Sequence, residues 1–316
     1  MLRGLEISIP IILVSALPER TLEAAAAAGR SFGLDMAGAI HKPFTVREFH
    51  QVMGRILAKP QAARAQPSVD ASAVLDAFAR GGLEAYFQPK VVLQGGALIG
   101  WEALARLNMP SGEVLAPGAF LDVLAAATQF DLLTDRMLVM SMTFWRRARR
   151  ALPDAHISVN LPASRLRDHD YPDLVARLLR HSGMPASRLT LEVTESELLE
   201  VDAATMESLA RLALLGVHLS IDDFGTGFSS FGQLNQLPCK ELKIDRSFVM
   251  NLTCDEHAEV IVTRTIELAR ELGTRVTAEG IEHPRQAELL KLMGCELGQG
   301  YMYGRPAPGA LPGARG

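Results

Sequence analysis

The stretch EAYFQPKVVLQGGALIGWEALARL, residues 84–107, decides the fold. Each half reads as a strand, and the halves are joined only by Gln94-Gly95-Gly96. A parallel crossover needs a dozen residues or more, so this pair must be antiparallel. Beyond it the pattern changes. Six more strand-like segments follow: HISVNLP (156–162), RLTLEVTE (188–195), VHLSIDDF (217–224), KELKID (240–245), TRVTAEG (274–280) and GCELGQG (294–300). Helical patterns such as FLDVLAAATQF, ATMESLARLALLG and EVIVTRTIELARELG separate most of them. Eight strands over about 220 residues predict an α/β protein, a (β/α)8 TIM-like barrel with one antiparallel strand.

The strands also carry a parity. In a helix-wrapped barrel alternate residues face inward, and the outward set packs on helices. Ile157 and Val159 alternate with Ser158 and Asn160; Leu191 and Val193 alternate with Glu192 and Thr194; Leu219 and Ile221 alternate with Ser220 and Asp222. Leu242 and Ile244 alternate with Lys243, and Val276 and Ala278 with Thr277 and Glu279. Two-faced strands with one solvated side explain one such pattern. Five in succession between helices point instead to polar residues at the C-terminal mouth, where barrel enzymes place their chemistry. The inward, late set is Asn160, Glu192, Asp222, Lys243 and Glu279, with Glu102 of WEALARL a further candidate.

These are hard oxygen donors with one lysine and no nearby histidine. They suit Mg2+ or Mn2+ rather than zinc or copper. Converging carboxylates repel unless a cation joins them. Two ions about 3.5–4 Å apart can clamp the attacking and leaving oxygens of a phosphodiester. Asp223 follows Asp222 directly, so strict strand parity sends it to the other face. Gly225-Thr226-Gly227 frees the backbone there, and Asp223 is expected to swing toward the same centre.

Composition bounds the alternatives. The chain has 316 residues, of which 48% are hydrophobic and 22% charged, enough for a sizeable core and unlike a disordered segment. A net charge of −4 gives no basic surface for a nucleic-acid duplex. Three cysteines without a CxxC pair argue against a disulfide framework or structural zinc and fit a reducing, cytoplasmic setting. The apolar run ISIPIILVSAL, about 11 residues, is too short to span a membrane and lacks signal-peptide flanks. No membrane partner is expected. Arg146 to Arg150 read as a solvated helix face, and His41, His181, His218 and His283 as structural.

WEALARL, SVNLPASRL, LEVTES, IDDFGTGFSS, ELKIDRSFV, TAEGIE and GQGYMYGRP occur in the order seen in the EAL-domain cyclic-di-GMP phosphodiesterases. The resemblance covers roughly residues 82–308. It implies metal-dependent hydrolysis of cyclic di-GMP to linear pGpG in bacterial second-messenger signalling. By the same resemblance Glu102, Asn160, Glu192 and Asp222 hold one ion, and Asp222, Asp223 and Glu279 a second. Lys243 contacts and orients the nucleophilic water, and Glu279 is a candidate general base. Arg106 matches a phosphate-contacting arginine, Gln88 and Gln299 match ligand contacts, and Glu195 matches a residue steadying the loop after Asp223. Phe228 and Met109-Pro110 depart from the usual Tyr and His-Pro without removing a ligand. Blander readings stay open: Arg106 as a rim salt bridge, Glu195 as a helix N-terminal acid, and Lys243 as a Schiff-base nucleophile of a barrel lyase. A catalytically silent cyclic-di-GMP receptor is the alternative function. The resemblance also implies a homodimer.

Residues 1–58 read strand, helix, strand, helix and resemble the second half of a receiver domain of two-component response regulators. Ser15 matches the switch position, and Lys42 before Pro43 matches the receiver lysine. The phosphoacceptor of that family lies on earlier strands, so either a piece of a longer regulator or a degenerate receiver is expected, with an upstream signalling partner as a further expectation. Residues 59–70 read as a linker, 71–308 as the barrel and 309–316 as a mobile tail.

Overall fold

The computed structural model describes residues 11–15, 21, 36–42, 44, 70–200, 202–226, 234 and 237–309. The chain divides into two compact units, residues 1–68 and 69–316. In the first, β1 (Ile11–Ser15) pairs in parallel with β2 (Met36–His41), and the Lys42 amide donates to the Ser15 carbonyl at 2.8 Å. Apart from Thr21, the helices expected over 18–33 and 45–58 lie outside the described residues, as do Pro43 and most of the linker. A single parallel strand pair is common to many α/β units and does not by itself distinguish a receiver.

The second unit opens on helix α1 (Ala71–Ala79). Asp70, expected to close the linker, is instead its N-cap and accepts from the Ser72 amide at 3.0 Å. Then come β3 (Leu83–Val92), β4 (Leu98–Asn108), the short β5 (Val114–Leu115), and helices α2 (Leu121–Ala126) and α3 (Phe130–Ala148). They are followed by β6 (His156–Asn160), α4 (Ala163–Leu166), α5 (Tyr171–Ser182), β7 (Leu189–Thr194), α6 (Ala203–Leu214) and β8 (His218–Phe224). The rest is β9 (Glu241–Ile244), α7 (Arg246–Asn251), α8 (Glu256–Leu272), β10 (Arg275–Ala278), α9 (Pro284–Met293), β11 (Leu297–Gln299) and β12 (Ala307–Pro308). The order around the wall is β3, β11, β10, β9, β8, β7, β6, β4, and β3 pairs with β4 to close it. β3 runs antiparallel to both neighbours, while β4 and β6 to β11 are parallel. The eight-stranded barrel and its one reversed strand are those expected from the Gln94-Gly95-Gly96 joint.

The parity holds as well. Ile157, Val159, Leu191, Val193, Leu219, Ile221, Leu242, Ile244 and Val276 are all buried beneath the helices. Each such side chain contributes roughly 1.5–3 kcal/mol by leaving water. On the α3 side the packing is aromatic: Phe87 stacks on Phe144 with ring centroids 3.7 Å apart, and Trp101 meets Phe144 edge-on at 5.2 Å. Gly100 faces His156 across the β4–β6 ladder, and a Cβ there would stand 2.1 Å from the His156 carbonyl oxygen. Only glycine lets those strands close.

The inward face is unusual for such a barrel, whose interior normally fills with branched aliphatics. Here Lys90, Ser158, Thr190, Glu192, Ser220, Glu241 and Thr277 are buried inside it. At the N-terminal end, the floor, His156 and His218 stack with ring centroids 5.8 Å apart. Arg188 Nη1 sits 3.0 Å from His156 Nε2. Arginine only donates, so that nitrogen accepts and the proton rests on Nδ1. Both histidine Nδ1 atoms are buried without a hydrogen-bond partner. Burial, then the charges of Arg188 and Arg275, push the His156 pKa down to about 4. Burial likewise lowers that of His218.

Candidate active site

At the opposite end, the strand termini of β4, β6, β7, β8, β9 and β10 bring the expected acids together. Lys243, fully buried, stands at their centre. Its Nζ lies 2.7 Å from Glu192 Oε2, 3.1 Å from Asp222 Oδ1, 2.6 Å from Glu279 Oε1 and 3.6 Å from Glu102 Oε2. Register explains the convergence: Asn160 pairs with Glu192, Glu192 with Ser220 just before Asp222, and Lys243 with Thr277 just before Glu279. Asn160 Nδ2 donates to Glu102 Oε1 at 3.2 Å. Two groups of carboxylates emerge, Glu102 with Glu192 and Asp222, and Asp222 with Asp223 and Glu279; within each group one oxygen per residue lies within 4.8 Å of the others. Asp222 belongs to both.

Asp223 reaches its place by its own backbone. Its φ is +54°, the left-handed region that aspartate tolerates better than most residues. The β8–β9 register shifts between Ile221 and Phe224, and the strand continues through Phe224. The bend therefore falls at Asp223 itself, before the glycines expected to make it. The Asp223 amide donates to Asp222 Oδ1 at 3.0 Å, and Thr226 Oγ1 donates to the Asp223 carbonyl at 2.8 Å. Glu195 Oε2 accepts from the Gly225 amide at 2.8 Å, while the Glu195 amide donates to the Asp222 carbonyl at 2.9 Å. That is the geometry a loop-steadying role needs. Gly227 and Phe228 lie outside the described residues.

The charges do not balance. Burial would strip the Lys243 proton, but Asp222, Glu102, Glu192 and Glu279 together hold the ammonium well above its usual pKa. Glu192, with Lys243 and Lys90 beside it, is held below the usual carboxylate range despite its burial. Glu102 and Glu279 share Lys243 but have no second lysine beside them. Burial, then Glu192 and Asp222, push Glu102 up to about 7 against the pull of Lys243. Glu279 is raised well above its ordinary value, chiefly by burial. Burial and then the Asp222 charge raise Asp223 to about 6. One lysine neutralises too little for these acids, so the donor set fits divalent cations.

Two of the three expected ligand contacts, Gln88 and Gln299, are tied to the same cluster, and Arg106 is not. Gln299 Nε2 donates to Glu102 Oε2 and, at 3.0 Å, to Gln88 Oε1, and Gln88 Nε2 donates to the Gly304 carbonyl at 3.4 Å. Arg106 is half-buried; its Nη1 donates to the Ala105 carbonyl at 2.7 Å, and its guanidinium lies 5.4 Å from the Tyr86 ring centre. Beside Asn160 and Glu192 opens a cavity of about 530 Å3 walled by Ala103, Leu104, Phe130, Leu133, Met137 and Pro162. A second, about 720 Å3, continues from it past Asp131, Ser164 and Arg167.

One buried cation escaped the sequence reading. Lys90, on β3, points into the barrel beneath Glu192 and pairs with Glu241. Both share the inward parity of residues already chosen, Gln88 and Lys243, two positions away. The signal lay in continuing the parity one layer deeper.

The sequence profile of the EAL domain matches residues 71–306. The cyclic di-GMP phosphodiesterase RocR of Pseudomonas aeruginosa is 33% identical over 282 residues, 87% of this chain and 71% of RocR. The cyclic di-GMP phosphodiesterase NbdA of the same organism is 39% identical over 234 residues, which is 72% of this chain and only 29% of NbdA. Among solved structures, the PaMucR phosphodiesterase in complex with c-di-GMP superposes with a TM-score of 0.72 at 36% identity, covering 75% of this chain and 96% of that one. The barrel topology and the profile agree: this chain belongs to the EAL domain family.

Proposed function

We propose that this chain hydrolyses cyclic di-GMP to linear pGpG with two divalent cations, Mg2+ or Mn2+, at the barrel mouth. The observation that carries the reading is Asp222, which belongs to both carboxylate groups and thus suits a bridging ligand. Glu102, Asn160 and Glu192 would complete one site, and Asp223 and Glu279 the other. Bound there, the ions would supply Lewis-acid charge for a phosphodiester and acidify a water toward neutral pH. Lys243, central to the cluster, is placed to donate to that water and orient it. With cations bound and its carboxyl ionised, Glu279, the most exposed acid beside Lys243, would take a proton from that water. Attack on phosphorus breaks one P–O3′ bond and leaves the linear dinucleotide. Arg106 would meet a phosphate, Gln88 and Gln299 the nucleotide, and the apolar cavity beside Leu104 is large enough for a base.

A silent receptor of the same ligand would retain the pocket without an intact cluster, and here Glu102, Glu192, Asp222 and Glu279 all lie within 4 Å of Lys243 while Asp223 joins Asp222 and Glu279. A homodimer, a cytoplasmic location and an upstream partner acting through residues 1–58 belong to the same proposal. Light scattering tests the homodimer directly. Three free cysteines support a reducing compartment, and among the described residues no helix is long and apolar enough to cross a membrane.

The test is incubation of the purified chain with cyclic di-GMP and Mg2+, resolving products by chromatography. The reading expects pGpG, and none after EDTA. Tight binding without any pGpG would transfer the chain to the receptor class.

A further inference from the structure

Beneath the mouth lies an ion pair that the proposed chemistry does not use. Lys90 Nζ is 2.7 Å from Glu241 Oε1 and 3.1 Å from the Ser158 hydroxyl, with the two charged side chains only 5% and 3% exposed. Thr277 Oγ1 donates to the same Glu241 oxygen at 2.9 Å. Stability offers little reason for such a pair, because a buried ion pair is often no better than apolar residues of equal volume. Its position offers a better one. Lys90 Nζ also lies 3.5 Å from Glu192 Oε1, while Lys243 holds Glu192 Oε2 at 2.7 Å. The two oxygens of Glu192 therefore face two different ammonium groups. Oε1 makes no hydrogen bond of ordinary length, and the polar groups beside it are the Lys90 ammonium and the Ser158 hydroxyl that Lys90 itself engages. Lys90 pairs across the ladder with Gly100, two residues deeper than the Gln88–Glu102 pair, with Glu192 between it and the mouth. It cannot touch a substrate there.

We infer that Lys90 and Glu241 are a positioning pair that fixes the Glu192 carboxylate in its cation-facing pose. Lys90 supplies the charge that turns Glu192, Thr277 and Lys90 hold Glu241, and Glu241 cancels the Lys90 charge so that the pair does not repel an incoming cation. Partners one step behind a metal ligand commonly set affinity in this way. The inference rests on the proposed cation site at Glu102, Glu192 and Asp222.

The test compares wild type, Lys90→Met and the double variant Lys90→Met/Glu241→Gln by Mn2+ calorimetry, thermal unfolding and cyclic-di-GMP kinetics. Lys90→Met alone leaves Glu241 charged and unpaired and should lower the melting temperature. The double variant removes that penalty, since the neutral amide introduced by Glu241→Gln still accepts from Thr277, and its melting temperature should return toward wild type. Positioning predicts that Mn2+ affinity nevertheless stays weaker, by about 10-fold or more, with kcat reduced and KM unchanged. Recovery of Mn2+ affinity together with stability in the double variant would reduce the pair to a structural role and overturn the inference. If Lys90→Met does not fold, the double variant decides alone. A wild type that binds no Mn2+ removes the cation site and the inference with it. A wild type that binds Mn2+ but makes no pGpG removes only the enzyme reading and leaves the affinity comparison decisive.

Discussion

The two ends of the barrel solve the same problem differently. Each lines a closed interior with titratable groups on the inward parity. The floor gathers His156, His218, Arg188 and Arg275. The mouth gathers Glu102, Glu192, Asp222, Asp223 and Glu279 around Lys243. The floor has an internal remedy, because a histidine beside arginines can lose its proton and become neutral. The mouth has none at neutral pH that keeps all its acids ionised, and Glu102, Asp223 and Glu279 are all raised as a result. The floor reaches neutrality by losing protons, whereas the mouth without a cation reaches it only by protonating the acids proposed as its ligands.

The largest effect should come from the residue common to both carboxylate groups. Asp222→Asn keeps the shape of the site and removes one charge from each group, and it should lower turnover at least ~10²-fold in the pGpG assay. Loss of less than tenfold would separate Asp222 from the chemistry. Lys243→Met should be comparably inactive and, without cation, destabilised, because buried acids lose their only central partner. Mg2+ should restore part of that stability.

The next effect sets the two ends against each other through pH. At the mouth Glu102 has its folded pKa raised from 4.5 to about 7. Between those values the folded chain binds more protons than the unfolded one, so its contribution to stability falls as pH rises through that window. Asp223, raised from 3.8 to about 6, acts with the same sign over its own window. At the floor His156 is lowered from 6.5 to about 4, so the unfolded chain binds more protons and stability is lost as pH falls from 6.5 toward 4. The two windows overlap, so between about pH 4 and 6.5 the opposite slopes largely offset each other in metal-free protein. Saturating Mg2+ should remove the mouth's contribution and leave stability rising with pH through the His156 window, which melting curves across pH 4–8 would show. A pH profile unchanged by Mg2+ would detach the cation from the mouth acids.

The smallest effect isolates the floor. His156→Gln should soften the acidic loss of stability while altering kcat less than twofold, since His156 contacts none of the mouth carboxylates and reaches them only through the field of Lys90. A large drop in kcat would mean that the Lys90–Glu241 pair couples floor and mouth tightly.

The barrel was legible because its evidence is local and repeated: a three-residue joint that forbids a parallel crossover, and a parity that recurs strand after strand. Most mouth residues were legible for the same reason, as Asn160, Glu192, Asp222, Lys243 and Glu279 are late inward positions of parallel strands, while Glu102 sits mid-strand on β4. Asp223 was harder, because its inclusion depends on a positive φ at an aspartate, which no alternation reveals. Lys90 was missed because β3 runs the other way, so its inward residues deepen toward the chain's C-terminus rather than rise toward the mouth. Glu241, read as the start of a strand, carried no sign of the lysine waiting across the barrel.

The central claim is that Asp222 is shared by two cation sites. Mn2+ electron paramagnetic resonance on the wild type and on Asp222→Asn tests it most directly. The account predicts two bound Mn2+ per chain with an exchange-coupled spectrum in the wild type, and loss of that coupling in Asp222→Asn. A wild type that binds a single isolated ion, or an Asp222→Asn variant that keeps the coupled pair, would contradict it.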